Sequence, residues 1–131
     1  MTDTDYHTMA SFRQALRRFF AFSEETLHAV GLTPQQYQAL LAIRAHSGAD
    51  EMTVGTLATR LFIRHHSAVG LVDRLEARGF VERQPVAHDR RLVCLALTLS
   101  GSKALGALAA THRAELMRLR PEVISLLESL G

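Results

Sequence analysis

Cationic side chains are concentrated between positions 60 and 91 of this chain. Seven arginines stand there against four acidic residues, and His65 and His66 can add to the positive charge. The arginines are Arg60, Arg64, Arg74, Arg78, Arg83, Arg90 and Arg91. A guanidinium group is always charged and can bind a phosphate through two parallel hydrogen bonds. Since the net charge of the whole chain is only +2, it is this local concentration that suggests a nucleic-acid partner.

The end of the basic stretch is predicted to form a β-hairpin. Residues 80–98 have the pattern of two short strands that follow directly on a helix ending at Gly79. The tip that connects the strands carries Asp89, Arg90 and Arg91. An exposed tip of this kind can hold guanidinium groups out to a phosphate backbone. A solvated charged turn is the alternative interpretation of these three residues.

Two helices before the hairpin have the pattern of a helix-turn-helix pair. A short helix capped by Thr53 runs to Leu61, and a second helix follows the turn at 62–64 and ends at Gly79. Small and aliphatic residues stand where two crossed helices must touch. These are Leu57, Ala58, Leu61, Ile63, Ala68, Leu71, Val72 and Leu75.

The outer face of the second helix supplies further predicted DNA contacts. Because a helix turns about 100° per residue, the positions opposite a buried Val72 face outwards. These are His66, Gly70, Asp73 and Arg74, with Ser67 and Val69 beside them. A recognition helix reads base edges mainly with its N-terminal residues. The predicted contacts are therefore Arg64, His65, His66, Ser67, Val69 and Gly70, with Arg74 further along for phosphate. An ordinary amphipathic helix with a polar solvent face is the alternative.

Further helices are predicted on both sides of this core. Apolar residues recur three and four apart from Met9 to Val30, and Gly31 ends that helix. Thr33 and Gln36 then form a capping box that opens a second helix, and residues 47–51 form a loop.

The C-terminal region is predicted to hold two helices. A long one begins at Thr98 or Ser100, Pro121 marks a break, and a last short helix follows from Val123 to Leu130. The fold class is therefore mainly α with a small β-hairpin. We expect 1–131 to be a single domain, with a winged helix-turn-helix core at about 32–98 and helical arms at about 1–31 and 99–131.

Five short motifs resemble the MarR family of bacterial transcriptional regulators. They occur in the family's order and spacing and cover the chain from about Leu32 to Leu108. The motifs are Leu32-Thr33-x-x-Gln36, Leu57-Ala58-x-x-Leu61, Val72-Asp73-Arg74-Leu75-x-x-x-Gly79-Phe80-Val81-x-Arg83, Asp89-Arg90-Arg91 and Leu97-Thr98-x-x-Gly101. The resemblance implies a homodimer that binds a pseudo-palindromic operator in double-stranded DNA, in most members as a repressor. Many members release DNA when a small aromatic acid, an oxidant or a metal acts on them.

The resemblance also implies roles for the hairpin tip. In the family, an aspartate of this motif orients an arginine through a salt bridge, and an arginine enters the minor groove. Asp89 is then the orienting carboxylate, while Arg90 and Arg91 share the two remaining roles in an order that the sequence leaves open. A narrow minor groove concentrates negative potential, so an inserted arginine is stabilised there.

The two arms have apolar stripes that a partner subunit can bury. The resemblance places an effector pocket between these arms and the winged core, for a small aromatic or acidic molecule. Its predicted wall is Phe19, Phe20, Tyr37 and Leu41, and core packing is the alternative for each. Arg13, Arg17 or Arg44 could pair with an acidic ligand, although a solvated charge is the simpler interpretation.

Several classes of protein do not fit this sequence. One cysteine, Cys94, excludes an internal disulfide and fits a reducing cytoplasm. No apolar run is long enough to cross a bilayer, and no phosphate loop or activated nucleophile suggests an enzyme. Seven histidines invite a metal hypothesis, but we expect no metal site and no cofactor.

One rival function stays open on the sequence. A winged helix can be a protein-protein interaction module that binds no DNA. Arginines at the hairpin tip and the polar outer face of the second helix favour DNA. Steep salt dependence of binding to a duplex would distinguish the two functions.

Overall fold

The computed structural model describes residues 1–47, 50–86 and 88–130. Within them the chain forms five helices and one two-stranded antiparallel hairpin, in the order α1 (Asp3–His28), α2 (Pro34–Ala45), α3 (Val54–Leu61), α4 (His65–Ala77), β1 (Val81–Val86), β2 (Asp89–Leu97) and α5 (Leu99–Glu128). Positions 48 and 49 of the predicted loop at 47–51, and position 87 of the hairpin tip, lie outside the described residues.

Two compact units make up the chain. One consists of Met1–Gly31 with Leu108–Gly131, and the other is Leu32–Ala107. The assignment of 1–131 to a single domain with arms at about 1–31 and 99–131 remains a prediction.

Helix α1 begins six residues before the predicted start at Met9. Thr2 is its N-cap: the Thr2 hydroxyl accepts a hydrogen bond from the Asp5 amide, and the Asp5 carboxylate accepts one from the Thr2 amide. This capping box satisfies two backbone donors of the first turn, and the acidic residues there are favourable at the positive end of the helix dipole. Local capping therefore extends the helix beyond its apolar stripe.

The capping residues of α2 and α3 are confirmed. Thr33 and Gln36 exchange the two hydrogen bonds of a capping box, at 3.1 and 3.0 Å. At the start of α3, the Thr53 hydroxyl accepts a hydrogen bond from the Thr56 amide at 3.1 Å. Both helices thus start where the sequence pattern indicates.

Helices α3 and α4 pack through the predicted apolar positions. Leu57, Ala68, Leu71, Val72 and Leu75 are each 1% exposed or less. Leu61 and Ile63, in the last turn of α3 and in the connection, are half-buried. Burying aliphatic side chains of this size stabilises the pair by about 1.5–3 kcal/mol each.

The hairpin packs one edge of its apolar face into the same core. Val81, Val86 and Leu95 are buried, and the Leu95 amide donates a 2.7 Å hydrogen bond to the carbonyl oxygen of Met52. The strand register pairs Val81 with Leu97, and an irregularity follows Pro85. The hairpin is therefore attached to the helix-turn-helix pair along its base.

Helix α5 continues through Pro121, so the predicted break and the separate last helix are wrong. Proline has no amide proton, which leaves the Met117 carbonyl without its helical donor. The proline ring is exposed, and apolar residues continue on either side of it. One residue later, Glu122 accepts two hydrogen bonds from Arg18 of α1, at 2.6 and 2.7 Å. Packing of the two helices outweighs the local preference of proline.

In the unit formed by the two chain ends, an apolar groove of about 320 Å³ lies between α1 and α5 and is open to solvent. Its lining consists of Phe12, Ala15, Leu16, Phe19, Phe20, Leu116, Leu119, Arg120, Val123 and Ile124. Further along the same two helices, the buried His112 bonds to the Ser23 hydroxyl at 2.7 Å. Within the described residues, no helix combines the length and the apolar character needed to cross a lipid bilayer.

Candidate nucleic-acid interface

The N-terminal turn of α4, the recognition helix, is polar and open. Arg64 occupies the N-cap position without a side-chain capping bond, and His65, His66 and Ser67 are exposed. The first amides of any helix have no partner inside the helix and suit an anionic acceptor. This turn presents four of the predicted DNA contacts together.

The predicted contact residues further along α4 differ in how exposed they are. Val69 and Gly70 are half-buried, while Arg74 is exposed. The Arg74 guanidinium lies over Gly70, with Nη1 at 3.4 Å from the position that a Cβ atom on this glycine would take. Arg74 can therefore lie across the outer face of the helix, since residue 70 has no side chain to displace it.

Arg91 is oriented by Asp89 in the hairpin, which we call the wing. Its Nε lies 3.2 Å from Asp89 Oδ1 and its Nη2 3.3 Å from Oδ2, and its backbone amide donates to Oδ1 at 3.0 Å. The hydrogen bonds from Arg91 hold the pKa of the Asp89 carboxyl below its ordinary value. This carboxylate is therefore ionised at neutral pH and fixes the arginine in a bidentate geometry.

The two side chains of this salt bridge differ strongly in solvent exposure. The Arg91 side chain is 91% exposed and the Asp89 side chain is 28% exposed. The guanidinium thus extends into solvent from a more protected carboxylate. Arg90 is exposed as well, and within the described residues it forms no ion pair.

A charged bridge that the sequence did not predict joins the wing to the recognition helix. Arg83 of β1 donates to Asp73 at 2.8 Å and to Glu76 at 2.7 Å, both on α4. The sequence did contain a signal for it. Two acidic residues three positions apart share a helix face, and the next strand carries an arginine.

The predicted effector residues lie in different surroundings. Phe19 and Phe20 line the groove of the α1 and α5 unit, with their ring centroids 5.7 Å apart. Tyr37 is buried in the other unit, where burial raises the pKa of its hydroxyl, and Leu41 is 38% exposed. The groove of the α1 and α5 unit therefore brings the two phenylalanines together.

His112, one of the seven histidines, is buried and forms hydrogen bonds through both ring nitrogens. Nε2 of His112 bonds to Ser23, and Nδ1 donates to the Leu108 carbonyl at 2.7 Å. Among the residues described, no group of three or more His, Cys, Asp or Glu side chains could hold a metal ion.

A family model described as MarR family matches residues 30–92. The matched range contains α2, α3, α4, β1 and the start of β2, including Asp89, Arg90 and Arg91. It therefore covers both surfaces that carry the predicted DNA contacts.

Curated relatives of the chain are transcriptional regulators. The transcriptional activatory protein BadR of Rhodopseudomonas palustris is 37% identical over 75 residues, which cover 57% of this chain and 43% of that protein. The HTH-type transcriptional repressor NicR of Pseudomonas putida is 35% identical over 103 residues, covering 77% of this chain and 62% of the relative. The chain thus spans between 43% and 62% of the length of these two proteins.

Solved structures share this fold. A mutant of MepR from Staphylococcus aureus, bound to an oligodeoxyribonucleotide, superposes with a TM-score of 0.74. The match covers 94% of this chain and 97% of that one at 21% sequence identity, so it concerns the fold. The predicted fold class, a mainly helical winged helix-turn-helix with a small hairpin, is confirmed.

Proposed function

We propose that this chain, which belongs to the MarR family of winged helix-turn-helix transcriptional regulators, binds a pseudo-palindromic operator as a homodimer and represses transcription. It acts in the cytoplasm by occupying DNA and not as an enzyme. The relatives include both an activatory protein and a repressor. Repression is the direction that the family resemblance favours.

The observation that carries this proposal is the geometry of Arg91. A guanidinium that is 91% exposed and held by a carboxylate on the same strand is preorganised for an anionic partner outside the protein. Preorganisation reduces the entropy lost when the side chain inserts into a narrow groove. In this proposal Arg91 is both the arginine that Asp89 orients and the arginine that enters the minor groove, so the two roles left open between Arg90 and Arg91 fall on one residue.

The recognition helix would supply sequence reading. His65, His66 and Ser67 stand at its exposed N-terminal turn, where a helix in the major groove meets base edges. Their ring nitrogens and hydroxyl can bond to base edges or phosphate oxygens. Arg64 and Arg74 flank this turn and suit phosphate contacts.

A second copy of the chain would cover the exposed apolar surface of the α1 and α5 unit. Large apolar side chains there are exposed to between 39% and 62%. They are Tyr6, Met9, Leu16, Phe20, Leu116, Met117, Ile124, Leu127 and Leu130. A surface of this kind marks an interface, and a twofold dimer would present two recognition helices about one DNA turn apart.

The effector is proposed to be a small aromatic or acidic molecule. The groove beside Phe19 and Phe20 is apolar, with Arg120 in its lining. A second, smaller hollow is lined by Arg13, Leu16, Arg17 and Phe20. Apolar walls with cationic side chains at the edge suit an aromatic carboxylate. A rise in melting temperature with benzoate, absent for benzyl alcohol, would support this ligand class.

Fluorescence anisotropy with duplexes recovered from genomic DNA by the purified protein tests the DNA proposal. We expect Arg91→Ala to weaken binding on the order of tenfold or more and to lower the salt slope by about one unit. Arg90→Ala should cost less, because no carboxylate orients this side chain among the described residues. Arg113→Ala is the matched control, an exposed arginine on α5.

The rival function gives a different result. A winged-helix module for protein partners would not bind duplexes even at low salt, and the three arginine variants would behave alike. That outcome would contradict the DNA proposal as a whole.

A further inference from the structure

Arg83 connects the two elements that are proposed to contact DNA. Its side chain is 27% exposed and extends from β1 to α4, where Nη2 meets Asp73 and Nη1 meets Glu76. The two carboxylates are more exposed, at 61% and 44%. One guanidinium thus uses both terminal nitrogens within the protein.

The spacing of the carboxylates explains why an arginine is needed here. Asp73 and Glu76 are three residues apart and share one face of the helix. A planar guanidinium offers donors in a fixed fork and can bond to both at once. A lysine ammonium is a compact charge on a flexible stem and lacks this geometry.

The bridge also changes the charge that the recognition helix presents. Two ionised carboxylates near Arg74 would repel a phosphate backbone. Arg83 supplies a compensating cation at 2.7 and 2.8 Å from them. The α4 surface then keeps Arg74 as its dominant charge.

The base of the wing needs this directional contact. Val81, Val86 and Leu95 anchor the hairpin through apolar burial, which is non-directional. Arg83 is paired with Leu95 in the ladder, and Arg91 lies four residues before Leu95, about 13 Å along β2. A small rotation at the base would therefore displace the Arg91 guanidinium by ångströms.

We propose that Arg83 is a positioning residue, which fixes the wing relative to the recognition helix so that Arg91 and the start of α4 engage one duplex together. It acts through Arg91 and does not itself bind phosphate. This inference rests on the proposed DNA-binding function and deepens it.

A double-mutant cycle between Arg83 and Arg91 tests the positioning role. In the otherwise unchanged chain, Arg83→Met should weaken duplex binding about tenfold, whereas with Arg91→Ala already present it should cost about twofold or less, since interacting sites are non-additive. Equal losses in both backgrounds would overturn the inference. A general loss of folding would also give equal losses, so the cycle excludes a merely structural role.

Arg83→Lys provides a second test of the positioning role. It keeps the charge and loses the fork, so it should weaken binding in the unchanged chain and leave the Arg91→Ala background unaffected. Full affinity for this variant would show that a point charge is sufficient and would contradict the positioning role. Gln84→Ala, at the next and exposed position of β1, is the control and should bind like the unchanged chain.

The two proposals fail in distinguishable ways. If the unchanged chain bound no duplex at low salt, the DNA-binding function itself would be refuted. If it bound and Arg91→Ala weakened it, but the cycle were additive, only the role of Arg83 would be lost.

Discussion

Phe62 is held in an unfavourable conformation at the turn between α3 and α4. Its φ is 55° and its side chain is 96% exposed. The turn requires this geometry, because the Phe62 amide donates back to the last turn of α3 and the Ile63 amide reaches the Ala58 carbonyl at 3.0 Å. Such a left-handed helix end usually employs glycine. For a residue with a Cβ atom, this conformation lowers the free energy of unfolding by about 1–2 kcal/mol.

Replacing Phe62 with glycine should therefore stabilise the chain. We expect the free energy of unfolding to rise by about 0.5–1 kcal/mol. Glycine removes the strain of the left-handed conformation, but it also makes the unfolded chain more flexible, which offsets part of the gain. Urea denaturation at one protein concentration measures it. Phe62→Ala is the control, since it keeps the Cβ atom and should change little. Equal stability of the two variants would show that the turn is not strained.

The arginine that Asp89 orients illustrates how much the sequence can predict about single residues. Residues 89–91 were predicted to lie at a hairpin tip, where side chains have no fixed alternation. They are in fact the first residues of β2. Alternate residues of a strand share a face, so Asp89 meets Arg91 and not Arg90. The sequence did not show that β2 begins at Asp89, and this boundary decides which arginine Asp89 meets.

At the scale of elements, Gly101 places α5 directly against the backbone of Phe80, just before β1. A Cβ atom on it would overlap the Phe80 carbonyl oxygen and lie 2.8 Å from the carbonyl carbon. Thr98 secures this approach. Its hydroxyl donates to the Gly79 carbonyl at 2.5 Å and accepts from the Gly101 amide at 2.9 Å. The Leu97-Thr98-x-x-Gly101 motif is thus a junction between the hairpin and the last helix.

Gly101→Ala should severely destabilise the chain. The clash is with backbone atoms, which no rotamer change can relieve, and overpacking of this kind costs about 1–3 kcal/mol or more. Gly106→Ala is a matched control on the same helix, because among the described residues nothing beyond its chain neighbours and the local helix backbone lies within 4 Å of its Cβ position. It should gain about 0.5–1 kcal/mol from helix propensity. Thermal unfolding of both variants checks this, and similar melting temperatures would refute the close approach.

The start of a helix was predictable where its capping residue lies directly before the apolar stripe. Thr33 and Thr53 gave correct starts for α2 and α3. The start of α1 was placed late because its capping box precedes the first apolar residue of the stripe. The continuity of α5 depends on packing against α1, including the Arg18 to Glu122 bridge. Local propensity at Pro121 carries no information about such distant contacts.

For the whole molecule, charge and apolar exposure are divided between the two units. The unit 32–107 holds the wing, the recognition helix and the arginines predicted to meet phosphate. The unit made of the chain ends holds most of the large apolar side chains that remain exposed. One surface of each kind per chain is what a twofold DNA-binding dimer requires. The net charge of +2 conceals this division.

Placing a carboxylate on the apolar surface of the α1 and α5 unit should therefore dissociate the proposed dimer. Leu127, at 51% exposure on α5, is a suitable site because its side chain is not needed to fill the core of one chain. Leu127→Asp would bury an unpaired charge in the interface and should raise the dimer dissociation constant about 100-fold or more. Sedimentation velocity measures the mass, and circular dichroism verifies that the helices are kept.

Ser125→Asp adds the same charge at an exposed polar position and should remain dimeric. An unchanged mass for Leu127→Asp, or a monomeric unchanged chain, would refute this assembly. Loss of the dimer should also reduce operator affinity towards that of a single half-site, since the two recognition helices would no longer bind as one unit.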